Sequence, residues 1–363
     1  MRKELSPAKQ EALHGGLVIP AHPLALGEDR KLDERRQRAL TRYYVDAGAG
    51  GIAVGVHTTQ FEIRDQRHNL FERVLRIASE EVDSLGASGA FPTKEHAGRF
   101  LRIAGLCGPT SQALGEAEIA IANGYDAGLL SMGGLGDFSE GQHLDRIRAV
   151  AGRIPVFGFY LQPSVGGRVF SYDFWRGVAD LEGLVAIKIA PFNRYRTIDV
   201  VRAVCNSPRC DSIALYTGND DNIINDLFAT FRFVVGGEVR EKRIVGGLLG
   251  HWAVWTRRAV ELLGEIKAVA AAGTIPVAWM TRNIEVTDAN SALFDAAHDF
   301  VGSIAGVHEV LRRQGLLEGT WCLNPEETLS PGQAAEIDRI YRQYPDLNDD
   351  EFVESHLSEW LDG

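Results

Sequence analysis

Two side chains in this sequence have the type and setting for carbonyl chemistry, Lys188 and Tyr160. Lys188 is the one charge in the apolar run GLVAIKIA, near its end. Burial disfavours an ammonium and lowers its pKa, leaving a free amine that can attack a carbonyl carbon and form a Schiff base. Tyr160 ends an earlier apolar run, IPVFGFY. A phenol beside such an amine can shuttle the protons that imine formation and C–C cleavage require. A lone lysine at a strand end is more often a packed stem with its head in water. The tyrosine at the preceding strand end tips the balance toward function.

Both runs read as strands, on which successive side chains take opposite faces. One face of the lysine run carries Leu184, Ala186, Lys188 and Ala190, and the other carries Val185, Ile187 and Ile189. In the tyrosine run Val156, Gly158 and Tyr160 share a face, with Phe157 and Phe159 on the other. The bulky faces are expected to pack on helices. The face with Gly158 and Ala186 then points inward and brings Tyr160 and Lys188 to one pocket.

The elements that hold these two strands form a long alternation. Candidate strands are Gly16–Ala21, Gly51–Val56, Leu101–Leu106, Ala127–Ser131, Pro155–Tyr160, Leu184–Ala190, Ser212–Tyr216 and Arg243–Leu248. Helical patterns lie between them, among them LDERRQRALTRYYVDAG, EGQHLDRIRAVAG and NIINDLFATFR. Strand and helix repeated eight times predict an α/β fold, a parallel (β/α)8 TIM barrel over residues 1–250. Residues 84–99 read as an inserted loop punctuated by Gly and Pro. Residues 251–363 read as a helical C-terminal extension packed on the barrel, whose acidic tail from Asp346 forms a last amphipathic helix or an oligomer contact.

Composition narrows the function classes. A net charge of −11 implies no general basic surface for nucleic acid or anionic lipid. The N-terminal MRKELSPAKQEALHGG has no apolar core for a signal peptide, and no segment approaches a membrane span, so a cytoplasmic protein is expected. The four cysteines, Cys107, Cys205, Cys210 and Cys322, lack metal-type pairing and read as reduced bystanders.

With these residues placed, the chain from about Gly15 to Trp255 resembles the dihydrodipicolinate synthase / N-acetylneuraminate lyase family of class I aldolases. That family's Tyr-x-x-Pro strand end is matched by Tyr160-Leu161-Gln162-Pro163, and its Schiff-base lysine follows the tyrosine by the same 28 positions that separate Tyr160 from Lys188. The family's Gly-Thr-Thr-Gly-Glu turn is matched in part by Gly55-Val56-His57-Thr58-Thr59-Gln60-Phe61-Glu62, where His57 and Gln60 stand in place of glycines. The resemblance implies that Thr58 and Thr59 bind a substrate carboxylate and that Thr58 passes protons to Tyr160. Hydroxyls at a strand-to-helix turn can serve an anion, or they can hydrogen-bond their own backbone. Cys107-Gly108-Pro109-Thr110 and Gly218-Asn219-Asp220 resemble turns of the family and serve mainly to align the chain.

Departures limit the substrate. After the fourth strand the family's synthases have Pro-Tyr-Tyr, and this chain has Ser131-Met132-Gly133-Gly134-Leu135-Gly136-Asp137-Phe138. The arginine those synthases use on the second substrate is replaced by Val165, the nearest arginine being Arg168. A true dihydrodipicolinate synthase is therefore not expected, although the imine-forming half could survive without those residues.

Other residues carry weaker signals. His22 and His57, with Glu62, could sit near one mouth, yet no HxH or HxxxH pair occurs, and no metal is expected. His57 reads instead as a polar pocket wall. Gly246-Gly247-Leu248-Leu249-Gly250 could form a phosphate-binding turn or give the last strand room beside the lysine side of the pocket, and the second reading is preferred. Arg194 and Arg196 could steer an anion but read as solvated loop charges, and Trp252 and Trp255 as core or interface.

The sequence thus predicts a Schiff-base lyase of the aldolase type acting on pyruvate or a related 2-keto acid. Lys188, Tyr160 and Thr58 are its catalytic candidates, and Thr59, His57 and Gly246 its substrate-binding candidates. It needs no cofactor, binds neither nucleic acid nor membrane, and is expected to form a homo-oligomer, a dimer or tetramer. The rival expectation is a non-catalytic ligand-binding or regulatory barrel derived from the same family.

Overall fold

A computed structural model describes residues 3–363. Eight parallel strands, with helices between them, form a nearly closed (β/α)8 barrel, and helices follow it to the C-terminus. In chain order the strands are β1 (Val18–Pro20), β2 (Gly51–Val54), β3 (Leu101–Leu106), β4 (Ala127–Leu130), β5 (Val156–Leu161), β6 (Leu184–Ala190), β7 (Ala214–Thr217), β8 (Thr230–Val235) and β9 (Glu238–Leu249). β8 is the exception to the barrel, pairing antiparallel with the first half of β9.

The chain resolves into two compact units. One comprises the segment up to Leu17 together with Leu101–Leu248. In it β3, β4, β5, β6, β7 and β9 pair in that order, all parallel. β4 is buried throughout, as is β5, on both faces of the sheet, which is why these strands are apolar almost without interruption. Helices start where the sequence offers caps. Ser139 and Gln142 form a reciprocal capping box before helix Glu140–Ala151, and Ser171 caps Tyr172–Ala179. Asn193 caps Arg194–Cys205.

The other unit comprises Val18–Phe100 and Leu249–Gly363. Its strands β1 and β2 are continued by a parallel bridge between Ala21 and Ala53, and its helices include Glu34–Asp46, Phe71–Ser88 and those that follow the barrel. The last helix, Asp350–Asp362, packs on Glu34–Asp46, with the Trp360 indole donating to Asp46 at 2.6 Å.

Two expectations are corrected. Residues 84–99 are not a loop, because the helix from Phe71 runs to Ser88 and a second helix spans Lys94–Arg99. The pattern NIINDLFATFR is helical only over Ile223–Phe228. Its end belongs to the β8–β9 hairpin, whose turn is Gly236-Gly237, both at positive φ. The helical extension is interrupted between Leu293 and Ser303, where Asp295, Asp299 and Phe300 take left-handed backbone.

Candidate active site

Lys188 lies on β6 near its C-terminal end, the end at which barrels of this class carry their active sites. In register it is flanked by Phe159 on β5 and Tyr216 on β7. Its Nζ stands 4.5 Å from the centre of the Phe159 ring. Burial lowers its pKa from 10.5 to about 8, against the opposing pull of the Asp220 carboxylate. Gly218, just past β7, leaves room for the stem: a Cβ there would lie 2.5 Å from Lys188 Cε and 2.7 Å from Ala190 Cβ.

Tyr160 departs from the expected face. The register of β5 on β6 shifts between Val156 and Phe157, so that Phe157 pairs with Ala186, Phe159 with Lys188, and Tyr160 with Ile189. Paired residues of parallel strands share a face, so Phe159, not Tyr160, flanks the amine. Tyr160 packs instead on Trp175 of helix Tyr172–Ala179, ring centroids 4.9 Å apart, and on Phe170. Its buried hydroxyl has no hydrogen-bond partner among the described residues, and burial raises its pKa. Gly158, expected inward with Ala186, faces Leu184 and Ile187 instead.

The threonine turn belongs to the other unit, as the short 3-10 turn His57–Thr59. Thr58 Oγ1 donates to the Ala21 carbonyl at 2.7 Å, and Thr59 Oγ1 donates to the His22 carbonyl at 2.6 Å. Thr59 Oγ1 also accepts the backbone N–H groups of Gly55 and Val56. Both hydroxyl protons are thus engaged by the turn's own surroundings. His57 is half-buried, with its ring 6.0 Å from that of Phe61. Gln60 carries φ +67°, where the family's glycine would sit without strain. It is buried, and its Oε1 accepts the Leu323 N–H at 2.6 Å.

The remaining candidates are structural. Gly246 pairs with Tyr216, and a Cβ there would lie 2.5 Å from the Leu17 carbonyl oxygen and 2.8 Å from the Tyr216 ring, so it serves close backbone approach. His22 is a buried imidazole engaged by Pro23 O, Thr41 Oγ1 and Gln37 Nε2, and burial lowers its pKa to about 4. No group of three or more His, Cys, Asp or Glu among the described residues could hold a metal ion. Arg194 ion-pairs with the buried Asp226 at 2.5 Å.

Sequence reasoning missed three parts of the Lys188 environment. Phe159 was assigned to the helix face, and Gly218 and Asp220 passed as ordinary turn residues. Beside that turn is a polar recess of about 250 Å³ lined by Asn193, Arg194, Thr197, Asn219, Asp221 and Asn222. Asn219 fixes its floor, accepting from the Phe192 N–H at 3.0 Å and donating to Asp226 at 2.9 Å. The signal for it lay in the Asn and Asp clustered at two successive strand ends.

With the lysine at the C-terminal end of the sixth barrel strand, the fold can be compared with solved structures. Dihydrodipicolinate synthases share it. The synthase from Oceanobacillus iheyensis is 16% identical at a TM-score of 0.70, with 93% of this chain and 99% of that chain covered. The Bacillus clausii synthase is 18% identical at 0.71, with the same coverages. A prophage protein of the dihydrodipicolinic acid synthase family from E. coli K12, solved in complex with pyruvate, is 16% identical at 0.70, covering 90% of this chain and 97% of its own. No protein-family model and no curated sequence matches the chain. No helix among the described residues is long and apolar enough to cross a membrane.

Proposed function

We propose that the protein is a class I lyase of the aldolase type that forms an imine between Lys188 and a 2-keto acid such as pyruvate. The observation that carries this reading is the half-buried Lys188 side chain at a strand's C-terminal end, its amine over the Phe159 ring and its pKa lowered to about 8. The free amine attacks the keto carbon, and the resulting carbinolamine loses water to give a protonated imine. When the bound acid is a 4-hydroxy-2-keto acid, its 4-hydroxyl loses a proton as the C3–C4 bond breaks, an aldehyde departs, and the iminium takes up the electron pair to leave the enamine of pyruvate. Protonation of the enamine carbon and hydrolysis of the imine return the amine. Lysine supplies the electrophile, so no cofactor enters these steps.

Proton transfer at the amine is assigned to Asp220, the ionisable group whose charge bears on Lys188. Tyr160 would act only after turning from its packing on Trp175. Thr58 and Thr59 would hold a carboxylate only by giving up the carbonyls of Ala21 and His22. The recess at Asn219 and Asn222 suits a polar, hydroxylated second fragment.

A second reading, a ligand-binding barrel without turnover, is favoured by the engaged threonine hydroxyls and the Tyr160 orientation. Borohydride reduction with pyruvate, read by intact mass, separates the two. The lyase reading expects an adduct that is absent in Lys188→Ala and slowed in Asp220→Asn. Pyruvate that binds without a reducible adduct would support the second reading.

A further inference from the structure

Helix Glu140–Ala151 buries Arg146 completely, with 0% of it exposed. Its Nε donates to the Gly108 carbonyl at 2.8 Å, while Nη1 and Nη2 have no hydrogen-bond partner among the described residues. A buried guanidinium with both amino groups unengaged is costly, because a desolvated cation needs an acceptor or a counter-charge. Burial lowers its pKa to about 10, and the groups that oppose this are Cys107 first and Glu116 second. The Glu116 carboxylate already serves two donors, the Cys107 N–H at 2.9 Å on one oxygen and Gln112 Nε2 at 2.8 Å on the other. Of the two groups whose negative charge bears on Arg146, the Cys107 thiol bears on it more, one residue before the carbonyl that Arg146 grips.

Cys107 also has the access that the other cysteines lack. It follows β3 in the turn at the strand's C-terminal end and is partly exposed, whereas Cys205, Cys210 and Cys322 are all buried. An electropositive, partly exposed setting is what makes a cysteine nucleophilic.

We propose that Cys107 is held as a thiolate by Arg146 and is the site at which this chain is modified by soft electrophiles, low-molecular-weight disulfides among them. With a disulfide, the thiolate sulfur attacks one of its two sulfurs. A new S–S bond forms as the old one breaks, the departing thiolate takes a proton from water, and the disulfide is the oxidant. With iodoacetamide, a C–S bond forms as iodide leaves.

The test uses the full-length protein with iodoacetamide over pH 5–10, read by intact mass and peptide mapping, and then with glutathione disulfide. One fast adduct on Cys107 is expected, with a rate midpoint below the ordinary thiol value of about 8.5. Arg146→Met should raise that midpoint and slow labelling at pH 7 by about tenfold for each pH step it moves. Arg146→Lys should restore part of the rate. A wild-type midpoint at or above about 8.5, or a first adduct on another cysteine, overturns the proposal. The wild-type profile decides even if Arg146→Met fails to fold.

Discussion

Trapping of the pyruvate imine on Lys188 is expected to follow a titration near pH 8. Only the neutral amine attacks a carbonyl, so the rate rises with the free-amine fraction until the amine is fully deprotonated. A pKa moved from 10.5 to about 8 raises that fraction at pH 7 by about 300-fold. The cause is burial, and the Asp220 carboxylate works against it, so Asp220→Asn should move the midpoint lower still. The assay is the initial rate of cyanoborohydride-trapped adduct between pH 6 and pH 10, measured by intact mass at fixed pyruvate concentration. Circular dichroism at each pH separates a change in rate from loss of fold. A rising limb centred near the ordinary lysine value would refute the desolvated amine. A midpoint unmoved in Asp220→Asn would refute the account of what opposes it.

The same displaced pKa bears on stability. The unfolded chain holds the Lys188 proton between pH 8 and 10.5 while the folded chain has released it, so stability rises with pH across that window and the full cost is carried below it. Lys188→Met is therefore expected to stabilise the fold at pH 7 by about 1–3 kcal/mol. Thermal melts should show this gain shrinking between pH 7 and pH 9.5, and a variant less stable than wild type at pH 7 would contradict it. Gly218→Ala puts a methyl 2.5 Å from Lys188 Cε, and displacing the amine should slow imine trapping by about 100-fold. Unchanged trapping in a folded Gly218→Ala protein would mean the stem does not run past this glycine. Tyr160→Phe removes a buried hydroxyl with no hydrogen-bond partner among the described residues. Trapping should stay within about twofold of wild type and the melting temperature should hold or rise, since an unpaired buried hydroxyl costs about 1–3 kcal/mol. A hundredfold loss of trapping would instead put the phenol at the amine.

Much of the barrel is legible because each strand is short, apolar and followed by a capped helix. Ser139, Ser171 and Asn193 mark three of those starts in the sequence itself. Lys188 is legible for the same reason, as a charge inside a run that is otherwise apolar. The β8–β9 hairpin was within reach too. The Gly236-Gly237 turn follows the strand-forming TFRFVV, and only the expectation of a helix after the seventh strand concealed it. The threonine turn shows where reading residues ends. Thr58 and Thr59 are the right types, but whether their protons are available depends on carbonyls 37 positions away in sequence.

The direction of Tyr160 could not be read for a more general reason. A half-buried strand announces its inner face by alternating apolar and polar residues. β5 is buried at every position, so its sequence carries no such phase. A one-residue irregularity then exchanges the two faces completely, since alternation has a period of two. The shift between Val156 and Phe157 is such an irregularity, and it lies upstream of the residues whose direction matters. A tyrosine and a lysine separated by 28 positions can therefore match a family in type and spacing while their side chains take opposite faces of the sheet. Lys188 escapes the ambiguity because its neighbours in register, Phe159 and Tyr216, and the cleared space at Gly218 each place it independently of the β5 phase assumed from sequence. The placement of the amine thus rests on the structure around it, whereas the expected direction of the phenol rested on a phase that the strand reverses.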